Sequence, residues 1–582
     1  MSALRRFFLL FFWVGLVAIS QARAGVEPSA DSSAFDSSAQ NAEGVSGAAG
    51  AYLTGHYAQR IQDWDRASDD LIRTLSVDPD NPELIRRAMV SAMGAGQVEK
   101  ALSLARRVPA AGHTDAEVLA VLFLAVDDFA QGDYGGALNR LDRVRSGGIS
   151  TFIVPLLHGW AAAGQGRYDQ MEPPSNPLQI WHAALMAAFV GQPGKASALL
   201  ESPQASQVSN IVPSANPEIL ATLCVRAGLK DKARALFRDA LALNPGDKNI
   251  EKQLKILEKG GKETAFPPLP MRTAKQGAAL ALFDMAGLLA SESSDDGSRI
   301  FLRMALHLDP GLREARDLLA GVAARNGRYD EAIAQAQVLA RLPDAQPKDG
   351  RFLAGLLEEA GRSDEARTLL EKQARERGDV DSLVQIADLY RRAEAWPEAL
   401  RIYEQVFSEY GAQKKAIPWS LYYSRGMMRE RMSLWSQAES DLKAALALAP
   451  DHPYILNYLG YGWADQGKNL PEALAMLQKA AALRPSDGYI ADSLGWALYR
   501  LGRYEDAVAP MEKAVEIVPY DSLMNEHLGD VYWQAGRRRE ARFQWRRAFN
   551  FSDDPDVSAR LEAKIDSGLA PQKSSTGARA RR

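Results

Sequence analysis

The chain has 582 residues, and an allotment of about 150 residues per domain suggests roughly four domains, a count that fails if the chain is repetitive. An apolar fraction of 46% with 24% charged residues excludes wholesale disorder and a multi-span membrane protein. The single cysteine, Cys224, excludes an internal disulfide or a thiolate zinc cluster, and a net charge of −4 marks no strongly basic nucleic-acid binder.

The N-terminus opens with Arg5 and Arg6 and then runs apolar from Phe7 to Ile19. That run is shorter than the about twenty residues a spanning helix needs. With Ala22-Arg23-Ala24 as an A-x-A site, residues 1–24 read as a signal peptide cleaved between Ala24 and Gly25. An exported, periplasmic protein is expected, associated with the outer membrane only through partners. Arg5-Arg6-Phe7-Phe8-Leu9 also resembles a twin-arginine motif, so both export routes stay open. Residues 25–47, rich in Ser, Ala, Gly and Asp, read as a flexible linker.

From residue 48 the pattern is helical throughout. Two-helix units begin near Ala48, Pro82 and Val118. They become degenerate over 151–200, where Glu172-Pro173-Pro174 and Gln192-Pro193 interrupt the period, and resume near Ser214. Gly260-Gly261 and Pro267-Pro268-Leu269-Pro270 break any helix, so a linker over 259–276 is expected to divide an N-terminal array (48–258) from a C-terminal array (277–566). Units in the second array begin near Ala279, Arg313, Pro347 and Val380, with a longer loop over Tyr410 to Pro418. Residues 567–582 carry Lys573, Arg579, Arg581 and Arg582 against Asp-free and Glu-free sequence, and read as a disordered basic tail over an acidic body.

The last units share one template. Gly495, Ala507, Ala514 and Pro519 recur 34 residues on as Gly529, Ala541 and Ala548. They recur upstream as Gly460, Ala473, Ala480 and Pro485, with one residue inserted near Asn469, and again as Gly426, Ala438, Ala445 and Pro450. Small residues at unit positions 8 and 20 let two helices approach, and Pro at 32 ends the second. Large residues at position 24, namely Leu442, Met511 and Trp545, are expected to fill the space between units. One hairpin cannot bury both its apolar faces, so units must stack. The spacing resembles the tetratricopeptide repeat. The resemblance implies an all-α superhelical solenoid of about twelve to fourteen helix-turn-helix units.

Motifs for chemistry are sparse. His56, His113, His158, His182, His307, His452 and His527 include no HExxH or i, i+4 pair, so no local metal site is expected. Cys224 occupies an inward helix position and reads as an inert thiol. Gly462 to Asn469 satisfies G-x-x-x-x-G-K but lies inside a helical pattern and ends in Asn, which argues against a phosphate loop. The acidic pairs Asp330-Glu331, Asp364-Glu365 and Glu505-Asp506 recur at one turn position and read as solvated helix starts.

What remains is the inner face. Unit positions 5, 9 and 13 line one stripe of each first helix: Asn457, Tyr461, Asp465; Asp492, Trp496, Arg500; Glu526, Asp530, Gln534. Tyr489, Tyr499 and Trp533 flank it. Aromatic rings beside carboxylates and an amide suit an extended peptide, so Asn457, Tyr461, Asp492, Trp496, Glu526, Asp530 and Trp533 form the candidate groove; packing between units is the alternative reading of the rings. Asp492-Ser493-Leu494-Gly495-Trp496 and Asn525-Glu526-His527-Leu528-Gly529-Asp530 also resemble bacterial exported tetratricopeptide proteins. Some of these are lipoprotein adaptors of carboxyl-terminal processing proteases, although Gly25 stands here where a lipoprotein has its cysteine. These features together lead to a non-catalytic scaffold that binds a protein, such as a periplasmic protease or an envelope-assembly component. No cofactor, catalytic residue, metal or nucleic acid is expected. An assembly factor for a secretion or pilus machine is the alternative, and an enzyme with a site built across units a third.

Overall fold

The computed structural model describes residues 39–108, 114–145, 147–167 and 174–569. The expected signal peptide, its Ala24–Gly25 cleavage site, linker residues 25–38 and the tail from residue 570 lie outside the described residues. Among the described residues the regular structure is helical, with 30 α-helices, two short 3-10 turns and no strand.

The helices form antiparallel pairs joined by short turns, as the small-residue template requires. Helix starts follow local chemistry. Asn81, Asn176, Asn216, Asp487, Asp521 and Asp554 each accept a backbone N–H of the following turn, and Pro occupies the first turn of Pro82–Ala95, Pro177–Phe189 and Pro453–Asp465. Pro193, expected to interrupt a helix, starts one, Pro193–Leu200, because its missing N–H is an orphan there anyway. The linker expected over 25–47 is helical from Ala39, where a run rich in alanine extends the packed part of Ala39–Arg60.

The described residues divide into two compact units, one up to Gly361 and one from Arg362. The division does not fall at 259–276. Phe266 and Met271 are buried in the first unit's core, so this Pro/Gly stretch is a packed connector leading into Ala274–Ser291. Proline and glycine stop a helix without preventing burial of the residues between them.

Within the first unit, Ala274–Ser291 is buried on nearly all sides, as a helix apolar all round must be. Gly277 lies so close to Trp160 that an added Cβ would stand 2.4 Å from its ring. Asp284 on this helix is fully buried and is the hub of a polar network. Its carboxylate accepts the Ser214 backbone N–H at 2.7 Å, the Ser214 hydroxyl at 2.6 Å and a His182 Nε2 contact at 2.9 Å. Trp160 donates to His182 Nδ1 at 3.2 Å, which places the imidazole proton on Nε2, facing Asp284. Trp181 donates to the Ser214 hydroxyl at 2.8 Å. The next helix, Asp295–Leu308, reaches back to the first hairpins, with Arg299 Nε donating to the Gly94 carbonyl at 2.6 Å, and so does Arg328, just before Tyr329–Leu339, which donates to the Gln62 side chain at 2.7 Å. Arg299 and Arg303 share Glu331 at 2.6 and 2.8 Å. Glu331 is therefore a half-buried tie, not the solvated helix start expected of the Asp330-Glu331 pair. By contrast, Asp364 and Glu365 sit exposed in the first turn of Ser363–Arg377 as expected.

The second unit is the more regular. Its hairpins are Val380–Arg392 with Trp396–Ala412, Trp419–Arg431 with Trp435–Leu448, Pro453–Asp465 with Leu470–Leu483, Gly488–Arg500 with Tyr504–Ile517, and Ser522–Gln534 with Arg538–Asn550. Pro555–Ser567 follows them. The stretch from Tyr410 is not all loop, because Trp396–Ala412 runs on through it and only 413–418 connects. The inserted Asn469 adopts φ +46° between the two helices of its hairpin, a conformation that asparagine tolerates.

The large residues at position 24 pack differently from expectation. Met511 and Trp545 fill the gap inside their own hairpins, over the glycine at position 8, because only there is a Cβ missing. An added Cβ at Gly495 would stand 2.5 Å from Met511, and one at Gly529 would stand 2.4 Å from Trp545. Gly529→Ala is therefore expected to cost about 1 to 3 kcal/mol by overpacking. Urea unfolding checks this; a loss under about 0.5 kcal/mol would show that the Trp545 ring moves aside freely.

Candidate functional site

The first helices of neighbouring hairpins lie side by side in the second unit, so equivalent positions on successive helices meet. This brings the predicted stripe together but leaves little of its charge free.

Asp492 is buried and receives His527 Nδ1 at 3.1 and 3.0 Å. The Trp496 ring stacks on His527 with centroids 4.1 Å apart and on Tyr499 at 4.8 Å. Burial alone would lower the His527 pKa. The Asp492 charge and hydrogen bond, with the Asp530 and Glu526 carboxylates behind, outweigh it and hold the imidazole pKa above its ordinary value. The sign of the linkage follows. A raised folded pKa contributes stability that is complete below the unfolded value, near 6.5, and is lost as pH rises through the folded value. Wild-type stability should fall with pH above about 6.5 more steeply than that of His527→Gln, and equal slopes in denaturant titrations would refute the assignment.

Glu526 and Asp530 are only 4% and 6% exposed. Arg560 grips Glu526 with two bonds of 3.0 and 2.7 Å, and Lys564 bridges Glu526 at 2.7 Å and Asp530 at 2.8 and 2.7 Å. Trp545 Nε1 also donates to Asp530 at 2.9 Å. The two carboxyl groups respond in opposite directions. Burial would raise Glu526, but its bonds to Arg560 and Lys564 prevail and lower it, whereas burial prevails at Asp530 and raises it despite Lys564. Trp533 is half-buried against Trp545 at 5.3 Å, with Arg538 and Arg542 over its ring and Gly568 packed on it. The expectation that Glu526, Asp530 and Trp533 stand open to a peptide is thus corrected: Pro555–Ser567 and the loop after it already occupy them.

Arg560 and Lys564 are the residues that sequence reasoning missed. The signal was present, because they stand 34 residues beyond Glu526 and Asp530, at positions 5 and 9 of an incomplete further unit. Extending the template by one step finds them.

The middle of the stripe differs. The Asn457 Oδ1 is buried without a hydrogen-bond partner. One turn on, Tyr461 has its hydroxyl pKa pushed up to about 12 by burial and by the Asp465 and Asp492 charges. Trp496 Nε1 reaches Asp465 at 3.4 Å. Beside them Tyr458 donates to Glu430 at 2.9 Å, and its ring meets Tyr423 edge-on at 5.8 Å. Here rings, an unpaired amide oxygen and a carboxylate share one half-open face.

The other motifs take structural roles. Gly462 lies within Pro453–Asp465, where an added Cβ would stand 2.0 Å from Trp435, a packing position and not a phosphate cradle. Cys224 is buried, and burial pushes its thiol pKa up to about 11. Although Ser214, His182 and Asp284 are the residue types of a hydrolase triad, the serine bonds to the aspartate and not to the histidine. All three are buried, so no nucleophile is activated. Among the described residues no group of three His, Cys, Asp or Glu is placed to hold a metal ion, and no helix is long and apolar enough to cross a membrane.

Known proteins match this architecture. A tetratricopeptide repeat family model matches residues 283–553. A TPR repeat-containing protein of Pseudomonas aeruginosa is 32% identical over 154 residues, covering 26% of this chain and 25% of the relative. The match therefore spans about a quarter of that curated relative's length. Among solved structures, the Cut9–Hcn1 hetero-tetramer of APC/C aligns over 88% of this chain and 95% of its own, at 16% identity and TM-score 0.37. YrrB, described as a TPR protein with an unusual peptide-binding site, aligns over 33% and 97% at 18% identity and TM-score 0.27. MamA AMB-1 aligns over 29% and 95% at 22% identity and TM-score 0.25. Over residues 283–553 the family match and the hairpin repeat agree, and the described residues form an all-helical array of tetratricopeptide-type hairpins.

Proposed function

We propose that this chain is a non-catalytic adaptor of the bacterial cell envelope, and that the inner face around Asn457, Tyr461 and Trp496 holds an extended segment of a partner protein. The observation that carries the reading is the half-open face of Tyr461, Trp496 and Asp465, where Trp496 Nε1 reaches Asp465 at 3.4 Å and the unpaired Asn457 Oδ1 lies one turn before Tyr461. A buried acceptor without a partner costs about 1 to 3 kcal/mol, and turning the Asn457 amide outward to a peptide N–H removes that cost. The rings supply apolar contact at low entropy cost, and Asp465 is placed for a basic side chain. Export rests on the sequence of residues 1–24. A periplasmic protease or an envelope-assembly component is the kind of partner such an adaptor serves.

The test is photocrosslinking from position 461 in the native cell, followed by affinity measurement with the captured protein. Asn457→Ala combined with Trp496→Ala is expected to weaken binding by roughly a hundredfold, at about 1.4 kcal/mol per tenfold for each lost contact. Unchanged affinity would remove this face from the account.

A further inference from the structure

The two ends of the repeat series are finished differently. At the C-terminal end, Pro555–Ser567 buries Leu561 and turns Asp556, Glu562 and Asp566 to solvent, the polar outer face that a terminal repeat needs for solubility. In the first described helix, Ala39–Arg60, the outer face is apolar instead. Leu53 and Tyr57, spaced i, i+4 on one stripe, are 67% and 63% exposed, and Ile61 in the turn just after the helix is 53% exposed. Along the same helix residues 47–50 offer little bulk: Gly47, Ala49 and Gly50 are exposed, and a Cβ added at Gly47 or Gly50 would meet nothing within 4 Å.

We propose that this stripe pairs with the same stripe of a second copy, the two first helices running antiparallel about a two-fold axis near residues 51 and 52. The register follows from where the bulk lies. About that midpoint Leu53 of one copy falls on Gly50 of the other. Tyr57 falls at positions 46–47, which are Ser and Gly in the sequence. Leu53 and Tyr57 of each copy thus seat against the small residues around Gly47 and Gly50 of the other, twice, as an isologous interface requires. A parallel pairing sets Leu53 and Tyr57 against themselves over the same length and leaves the glycine half empty. Residues 25–38 are a poor alternative cover, since Val26 and Phe35 are their only large apolar residues. The inference is independent of the groove described above and survives if that reading fails.

One pair of helices about 33 Å long is smaller than a standard stable interface, so the dimer should dissociate at roughly micromolar concentration. The purified protein, with its N-terminus established by mass spectrometry, is examined by sedimentation equilibrium over about a hundredfold concentration range. Wild type is expected to shift from monomer to dimer, and Leu53→Asp with Tyr57→Asp to remain monomeric with an unchanged far-ultraviolet spectrum. Tyr52→Cys gives a second readout. The residue stands beside the proposed axis, so a short bismaleimide should yield a covalent dimer, while buried Cys224 leaves wild type uncrosslinked. A wild-type chain that stays monomeric, whether residues 1–38 or nothing covers the stripe, overturns the proposal. So does a dimer that the double substitution leaves intact.

Discussion

Asp284→Ala is expected to cost about 4 kcal/mol and to loosen the helix Ala274–Ser291 at the centre of the first unit. The carboxylate is fully buried and meets three hydrogens, those of the Ser214 amide, the Ser214 hydroxyl and His182 Nε2. Alanine leaves each without a partner and without water, at about 1 to 3 kcal/mol apiece before relaxation. The loss also spreads, since Ser214 holds Trp181 and His182 holds Trp160. Asp284→Asn keeps the shape but turns a donor toward groups that are themselves donors, so it should cost roughly half as much. Hydrogen exchange resolved over 274–291 is the suitable readout, because a repeat array opens in parts. Protection unchanged in the alanine variant would mean that the network is reached by water and contributes little.

Lys564→Met should destabilise the last complete hairpin by about 3 to 5 kcal/mol, far more than an exposed lysine would. Among the described residues Lys564 is the one cation paired with Asp530 and one of two paired with Glu526. Without it the two buried carboxylates face each other, and the folded state favours protonation. Asp530, whose pKa burial already holds above its ordinary value, then loses the cation that offsets that burial, so its folded pKa lies further above the unfolded one. The loss should therefore be largest near neutral pH and shrink as pH falls toward about 5. Glu526→Gln in the Lys564→Met background should recover part of it by removing the like charge. Exchange rates over Ser522–Gln534, measured at both pH values, distinguish this from simple loss of packing, which has no such pH dependence. Equal loss at both would discard the electrostatic account.

Much of the architecture was legible in the sequence because it is local. Small residues at fixed offsets demand close helix pairs, and glycine turns with prolines at unit ends set their length, so the hairpins from residue 419 onward could be placed one by one. The stripe could be placed too, since positions 5 and 9 of a helix share a face whatever surrounds it. Its occupancy could not be read the same way. Glu526 and Asp530 look like a receptor for a basic peptide until Arg560 and Lys564 of the following helix are set beside them, and only side-by-side packing of successive first helices does that.

By itself, the sequence determined the helical hairpin, its period of about 34 residues and the absence of a local catalytic or metal motif, all of which depend on residues close together in the chain. Tertiary structure alone decided that 259–276 is packed, that Glu331 is tied to Arg299 and Arg303, and that Asp284 gathers His182 and Ser214. Those partners lie tens to about a hundred residues apart, and no periodicity encodes which helix of an array returns to which. The burial that makes each contact costly to lose exists only once the helices have met.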